Sequence, residues 1–143
     1  MGTIVVGVDG SPPSLRALRY ALDEAALRGS KVRALHAWSI PYAPVATAPF
    51  VVVADMPELE QSVRAHAERV LDEALQQVEV PEGVEVEQEV AQGDATHALI
   101  RSAEGAELLV VGSRGTGGFA DLRLGSVSTQ CAQHAKCPVV IVH

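Results

Sequence analysis

Two kinds of sequence pattern alternate along the chain, and this alternation restricts its fold more than any other feature. Five apolar segments are typical of strands, and we predict strands at about 3–9, 31–38, 84–91, 107–112 and 138–142. Between them, Leu, Ala and Val recur at the three- and four-residue spacing of amphipathic helices. This spacing predicts four helices, the last at about 126–135, and the element order β-α-β-α-β-α-β-α-β.

The strand segments differ in how their apolar residues are arranged. The runs "IVVGV", "LLVV" and "VVIV" are continuously apolar, which is typical of strands covered on both faces in a parallel sheet, whereas "VEVEQEV" alternates and resembles an edge strand. Right-handed crossovers then build an open, doubly wound α/β sheet with helices on both faces. Such sheets bind ligands beyond the carboxyl ends of their strands, where the strand order reverses.

Length and charge restrict the domain organisation and the partners. A chain of 143 residues predicts one domain, residues 1–143. The net charge of −7, scattered Lys and Arg, and only 3% aromatic residues argue against nucleic acid or an anionic membrane as a partner. The first residues lack the basic region of a signal peptide and no apolar run reaches the length of a membrane span, so we expect a cytoplasmic protein.

The long connection at 39–57 and the two cysteines carry no recognisable motif. The connection at 39–57 carries four prolines and is too long for a simple loop, so it is either a mobile or partner-contacting segment or a lid over a ligand. Cys131 and Cys137 lack the spacing of a metal site or a redox motif, and we expect them to be reduced and packed against a helix or the core.

The first strand is followed by residues suited to the carboxyl edge of the sheet. Asp9 ends the predicted strand, and Ser11 is a natural N-cap for a helix that begins with Pro12 and Pro13, where missing amides do no harm. Asp9 therefore faces the crevice as a ligand-binding residue or, alternatively, forms the turn or caps the helix.

The fourth strand runs into the loop "GSRGTGGFADLRLGS", which holds five glycines from Gly112 to Gly125. Successive amides of such a loop can form an anion-binding nest, and the helix start at Gly125 offers further amides and a favourable dipole. A merely flexible surface loop is the alternative. The loop is not a P-loop, because no Lys follows a glycine pair, and it is not a dinucleotide fingerprint, because it lies in the last βα unit and no ribose-binding acid follows.

With these residues the chain resembles the universal stress protein family, and specifically its ATP-binding subgroup. The motif of that subgroup is glycine, two residues, glycine, nine residues, glycine, and then Ser or Thr. Gly112, Gly115, Gly125 and Ser126 fit it without a gap. The resemblance covers nearly the whole chain, with "IVVGVDGSPPS", "LHAW", "GD" and "CPVVIV" in corresponding places.

The resemblance implies strand order 3-2-1-4-5, ATP in the crevice with Mg²⁺ bridging its phosphates, and a homodimer. Asp9 and Ala37 would meet the adenosine end, and Val111 and Gly112 would lie along the ribose. The residues around the phosphates would be Arg114, Gly115, Gly125, Ser126, Val127 and Ser128. The strand at 138–142 would pair with its copy, since a bare apolar edge favours pairing.

The implied function is that of a nucleotide-occupied stress-response regulator with little or very slow hydrolysis. Asp121 departs from the family pattern, and it would either face solvent, repel the γ-phosphate or help to hold Mg²⁺. His36 is expected to be packed or capping, and His66, His97 and His134 to lie on solvated helix faces. The alternatives are an ATP-hydrolysing or nucleotidyl-transfer enzyme and a nucleotide-free adaptor dimer, and AMP or cyclic AMP could replace ATP as the ligand.

Overall fold

A computed structural model describes residues 1–39, 57–114 and 124–143 of the protein. The strands are β1 (Thr3–Gly7), β2 (Lys31–Trp38), β3 (Val86–Gln92), β4 (Leu108–Gly112) and β5 (Val139–Val142). The helices are α1 (Pro12–Arg28), α2 (Pro57–Gln76), α3 (Ala95–Ser102) and α4 (Ser126–His134). All nine lie where the sequence pattern predicts them, with ends shifted by one or two residues. The 39–57 connection lies, apart from its two ends, outside the described residues.

The five strands form one parallel sheet in the order β3-β2-β1-β4-β5, which confirms the predicted α/β class and topology. β1 is central, and Ile4 pairs with Val32 of β2 on one side and with Leu108 of β4 on the other. The carboxyl ends of β1 and β4 are therefore neighbours. Since β1 connects onward to β2 and β4 connects onward to β5, the strand order reverses at this point.

Helices cover both faces of the sheet, as predicted. Alternate residues of β1 point to opposite faces, so Ile4 and Val6 pack with α1 and α2, whereas Val5 packs with α3 and α4. Cys131 of α4 is fully buried in this second core and Cys137 packs against it half-buried. Both cysteines are free thiols, as predicted.

The two edges of the sheet differ in length and chemistry. β3 has seven residues with alternating character and is confirmed as an edge strand. β5 has only four residues, all apolar and all half-buried. Within the described ranges 1–39, 57–114 and 124–143, no helix is both long and apolar enough to span a bilayer.

Candidate functional site at the carboxyl edge

A tight turn after β1 holds Asp9 at the carboxyl edge of the sheet. Asp9 Oδ1 accepts hydrogen bonds from the main-chain N–H of Ser11 at 2.9 Å and from the Ser11 hydroxyl at 2.5 Å. Gly10 has a φ of 83°, a left-handed conformation that glycine adopts at little cost. Asp9 thus forms the turn, which was one of its two predicted roles. Among the described residues, its second oxygen, Oδ2, has no hydrogen-bond partner and remains able to accept one.

The turn continues into α1, whose first amides are all absent or bonded. Ser11 is the N-cap, as predicted, and its hydroxyl accepts from the Ser14 N–H. Pro12 and Pro13 occupy the first two helical positions and have no amide hydrogen. The Ser14 hydroxyl donates to the Ser11 carbonyl at 3.0 Å and accepts from the Asp9 N–H at 3.2 Å. This helix start is closed to an anion.

Gly112, at the end of β4, contacts the first turn of α1. A Cβ placed on Gly112 would lie 2.9 Å from the main-chain carbon of Pro13 and 3.0 Å from its oxygen. Such a distance requires the backbone to move, so only glycine fits this close approach. The sequence pattern identified Gly112 through its ligand motif and gave no sign of this packing requirement.

Ser113 joins three parts of the edge through its main chain. Its N–H donates to the Val142 carbonyl at 2.8 Å, and its carbonyl accepts from the Gly125 N–H at 2.7 Å. The Ser128 hydroxyl lies 2.9 Å from the Gly125 carbonyl and 3.2 Å from the same Ser113 carbonyl, and its one hydrogen is shared between them. We call this set of bonds the Ser113 junction. It connects Ser113 to Gly125, on either side of the segment 115–123. The Ser128 hydroxyl is buried and bonds only to main-chain groups.

α4 begins at the junction without a side-chain cap. Its N-cap is Gly125, with φ −67° and ψ 165°, and no side chain of the described residues caps the first turn. Among the described residues, the amides of Ser126, Val127 and Ser128 have no main-chain partner. Free amides and the positive end of the helix dipole together favour an anion.

α3 also begins at this edge, on the same face of the sheet, but it carries a cap. Asp94 accepts hydrogen bonds from the His97 N–H at 3.1 Å and from His97 Nδ1 at 2.8 Å through one oxygen, Oδ2. These bonds lower the pKa of Asp94, the backbone bond contributing most. His97 lies on an exposed helix face, as predicted, and its side chain is 83% exposed.

The end of β2 supplies the remaining predicted residue on the far side of β1. Ala37 is half-buried and packs towards α3 and α4. The neighbouring His36 is packed and bonded, as predicted, with Nδ1 lying 2.7 Å from the Val8 carbonyl. Since a carbonyl can only accept, Nδ1 carries the proton and Nε2 is the acceptor of the neutral ring.

The fold thus gathers most of the predicted site residues at one edge. Asp9 follows β1, and Gly112 is the last residue of the neighbouring strand β4. α4 begins at the same edge. The side chain of Val111 is buried, so a ligand could contact only its main chain. Arg114 is half-buried. Gly115 and Asp121 lie outside the described residues. The Ser113 junction was missed because Ser113 and Ser128 are fifteen positions apart, and a hydroxyl near glycines suggests a ligand contact.

The titratable side chains of the described ranges form neither a metal site built from protein ligands alone nor a reactive thiol. No group of three or more His, Cys, Asp or Glu side chains among those residues could hold a metal ion. Burial raises the pKa of Cys131 to about 11, and burial also raises the pKa of Cys137. Both thiols are therefore protonated at neutral pH and are poor nucleophiles.

Comparison with known proteins identifies relatives over the whole chain. Residues 1–143 match the Universal stress protein family. A universal stress protein of Mycolicibacterium smegmatis is 38% identical over 147 residues, an alignment that covers 97% of this chain and 45% of the relative. The chain spans about half the length of the curated relatives that it matches.

Solved structures share the fold along nearly their full length. The universal stress protein UspA of Lactobacillus plantarum superposes with a TM-score of 0.81 at 22% identity, covering 99% of this chain and 97% of that one. A universal stress protein solved in complex with cAMP superposes with a TM-score of 0.70 at 29% identity and the same coverage.

Proposed function

The chain belongs to the universal stress protein family, and on this premise we propose that it binds an adenine nucleotide at the carboxyl edge of its sheet. The observation that carries the proposal is the start of α4, which has glycine at the N-cap and unpartnered amides among the described residues. The relative solved with cAMP supports the ligand class. A phosphate at a helix start gains both amide donors and a favourable dipole.

The phosphate end of the nucleotide would lie at the first turn of α4. The Ser126 hydroxyl is exposed and can reach a phosphate, and the amides of Val127 and Ser128 can donate to it. Ser128 would contribute through its amide alone, because its hydroxyl holds the Ser113 junction. Arg114, Gly115 and Gly125 complete the proposed phosphate-binding set.

The nucleoside end would lie across the edge, beside β1 and β2. Asp9 Oδ2 can accept a hydrogen bond from a ribose hydroxyl while Oδ1 continues to hold the turn. The main chain of Ala37 would meet the adenine, and Val111 and Gly112 would lie along the ribose. Because Gly112 has no side chain, the ribose could approach its main chain as closely as Pro13 does.

We propose ATP with Mg²⁺ as the ligand within this class. Three phosphates suit a start that offers several donors, and Mg²⁺ bound through phosphate oxygens and water needs few protein carboxylates. This fits described ranges that contain no cluster of acidic or histidine ligands. Asp121 and the remainder of the glycine loop belong to the same proposal but lie outside the described residues.

The nucleotide-bound protein would act as a cytoplasmic stress-response regulator with little or very slow hydrolysis. Asp9 is proposed to meet the ribose at the nucleoside end, and His36 Nδ1 is bonded to the Val8 carbonyl. Neither is thereby placed to activate a water at the far phosphate. A homodimer through β5 would cover four apolar residues at the sheet edge, and nucleotide occupancy would be read through that dimer.

Isothermal titration with Mg-ATP, AMP and cyclic AMP tests the proposal. We expect saturable heat with one or more of these ligands and a loss of affinity in Asp9→Asn, which keeps an oxygen acceptor for the turn but removes the charge. Ser11→Ala is the matched control, since it weakens the same turn without changing the proposed ligand contact. A folded protein that gives no heat and no thermal shift with any of the three contradicts the proposal.

A further inference from the structure

The outer side of β3 presents main-chain groups that have no partner among the described residues. The Val32 N–H donates to the Glu85 carbonyl at 2.9 Å, and the Gly93 N–H donates to the Trp38 carbonyl at 2.7 Å. Odd-numbered positions of this stretch therefore bond to β2. Because successive main-chain groups of a strand point to opposite sides, even-numbered groups point away from the sheet. These are the groups of Val86, Gln88, Val90 and Gln92.

Few of the usual devices that block an edge strand occur in β3. Its seven residues contain neither proline nor glycine. They pair in step with β2 from Val32 opposite Val86 to Trp38 opposite Gln92, so no bulge interrupts the strand. Proteins commonly protect an edge with prolines, bulges, very short strands or charges, and here the charged side chains are the device that is present.

The charges and the apolar residues of β3 are divided between its two faces. Val86 and Val90 pack with the core under α2. Glu87 and Glu89 lie on the opposite face, where the Ser102 hydroxyl of α3 donates to Glu89 at 2.8 Å. Glu85 has the same parity and extends this acidic row. A strand added at the edge would therefore meet carboxylates on one face and valines on the other.

An open groove of about 840 Å³ lies on the acidic face. It lies between β3 and the outer side of α3, which packs on β1 and β2 more than on β3. Gln88 and Gln92 also line it, so the groove reaches the free edge of the strand. Besides Glu87 and Glu89, the rest of the lining is Arg33, Ala91, Ala98, Arg101, Ser102 and Glu104, so two arginines share the groove with three glutamates. Side chains of an added strand would have room in this groove.

Basic residues of β2 form ion pairs with the glutamates of β3. Lys31 Nζ lies 2.6 Å from Glu87 Oε1, and Arg33 Nε lies 3.1 Å from Glu87 Oε2 and 3.8 Å from Glu89 Oε2. Hydrogen bonds from Lys31 and Arg33 lower the pKa of Glu87, so it stays ionised. β2 thus places bases at alternate positions opposite these acids. On its free side, β3 has no neighbouring strand in the described ranges, and the side chain of Glu85 has no ion-pair partner among those residues.

We propose that the free edge of β3 binds an extended segment of a partner protein with Lys or Arg at alternate positions and apolar residues between them. The segment would pair with the outward groups of β3, place its basic side chains over the groove and place its apolar side chains beside Val86 and Val90. A second copy of β3 fits poorly, because its own glutamates would then face these carboxylates. The proposal is independent of the nucleotide site.

The test uses the amidated peptide KVKVKVKVK with fluorescein on its amino terminus and measures its binding by fluorescence anisotropy. Gln88→Pro removes one outward amide while leaving the bonds to β2, and an edge strand tolerates proline at such a position. We expect its affinity for the peptide to fall about tenfold. Gln88→Ala keeps the amide and is expected to bind as the unaltered protein does. Glu85→Gln removes one exposed carboxylate and is expected to weaken binding severalfold, whereas Glu82→Gln, in the preceding turn, is the matched control.

Amide exchange of the unaltered protein gives a second measurement in case Gln88→Pro fails to fold. The peptide is expected to protect the amides of Gln88 and Val90 and to leave those of Glu87 and Glu89, already bonded to β2, unchanged. Equal binding of the peptide EVEVEVEVE, no binding at all, or binding without that protection overturns the proposal. Protection of the same amides without peptide, accompanied by a dimer in ultracentrifugation, also overturns it, because a second copy then occupies the edge.

Discussion

The starts of α3 and α4 have nearly the same backbone but opposite chemistry. Both follow a parallel strand at the carboxyl edge of the sheet, and their N-cap residues have φ and ψ of −69° and 133° for Asp94 and −67° and 165° for Gly125. Asp94 adds a carboxylate that bonds the first turn, whereas Gly125 adds nothing. Among the described residues, one side chain therefore separates a helix start whose first turn is capped from one whose first amides have no partner.

Giving α4 the capping side chain of α3 is expected to have the largest effect. In Gly125→Asp, a carboxylate would occupy the place proposed for a phosphate, and we expect the affinity for Mg-ATP to fall about 100-fold because like charges are brought together. The free energy of unfolding should rise by a few tenths of a kcal/mol, since an aspartate caps a helix slightly better than a glycine does. Titration calorimetry and thermal unfolding measure the two effects.

Gly125→Ala is the control for that exchange, because it adds bulk without charge. Its φ is one that alanine adopts freely, so we expect only a small change in affinity. If alanine and aspartate reduce the affinity equally, the loss is steric and the electrostatic account of α4 is wrong.

Ser128→Ala tests whether the open start of α4 depends on the Ser113 junction. The hydroxyl is buried and its one hydrogen is shared between two carbonyls, so its removal is expected to lower the free energy of unfolding by about 1–2 kcal/mol. Ser126→Ala removes an exposed hydroxyl from the same turn and should leave stability unchanged. Chemical denaturation distinguishes the two, and equal stability of both variants would contradict the role given to Ser128.

Asp94→Ala tests the closed start. Loss of the cap is expected to lower the free energy of unfolding by about 1 kcal/mol, and nucleotide affinity should not change, because α3 is not proposed to touch the ligand. Asp94→Asn retains a good capping oxygen and should recover most of the stability at neutral pH. A parallel loss of nucleotide affinity in Asp94→Ala would mean that the two starts are coupled.

The smallest expected effect is a pH dependence that Asp94 gives to the start of α3 and that Gly125 cannot give to the start of α4. The pKa of Asp94 is lowered below its ordinary value of 3.8, so the carboxylate stabilises the fold above that value, and this contribution is lost as the pH falls through the lowered pKa. The stability of the unaltered protein relative to Asp94→Asn should therefore decrease as the pH falls below the ordinary value of 3.8 and through the lowered pKa. Thermal unfolding of both proteins measures this, and a difference that stays constant with pH rules it out.

The sequence predicted the elements well because each one depends on a local period. The continuous run of β1 and the alternation of β3 indicated a central and an edge strand, and both assignments are confirmed. The strand order came from the family resemblance, since periodicity does not say which strands are neighbours. It is confirmed as well.

The site was predicted in part, and its unpredicted features depend on contacts between distant residues. Gly112 is required by the backbone of Pro13, about a hundred positions earlier, and the Ser128 hydroxyl faces inward to Ser113. Asp9 was predicted either to bind the ligand or to form the turn. Its Oδ1 forms the turn, and its Oδ2 can accept a hydrogen bond from a ligand. The ligand contacts of all these residues stay predictions, because they depend on a molecule that periodicity and topology do not describe.

The Ser113 junction separates the folding of the sheet from the length of the segment at 115–123. The chain leaves and re-enters the fold at two positions tied by the 2.7 Å bond between the Gly125 N–H and the Ser113 carbonyl. Doubling the length of a loop costs only about 0.6 kcal/mol in closure entropy. Because this bond lies outside the segment, we expect a change in the length of 115–123 to leave β4, β5 and α4 in their places.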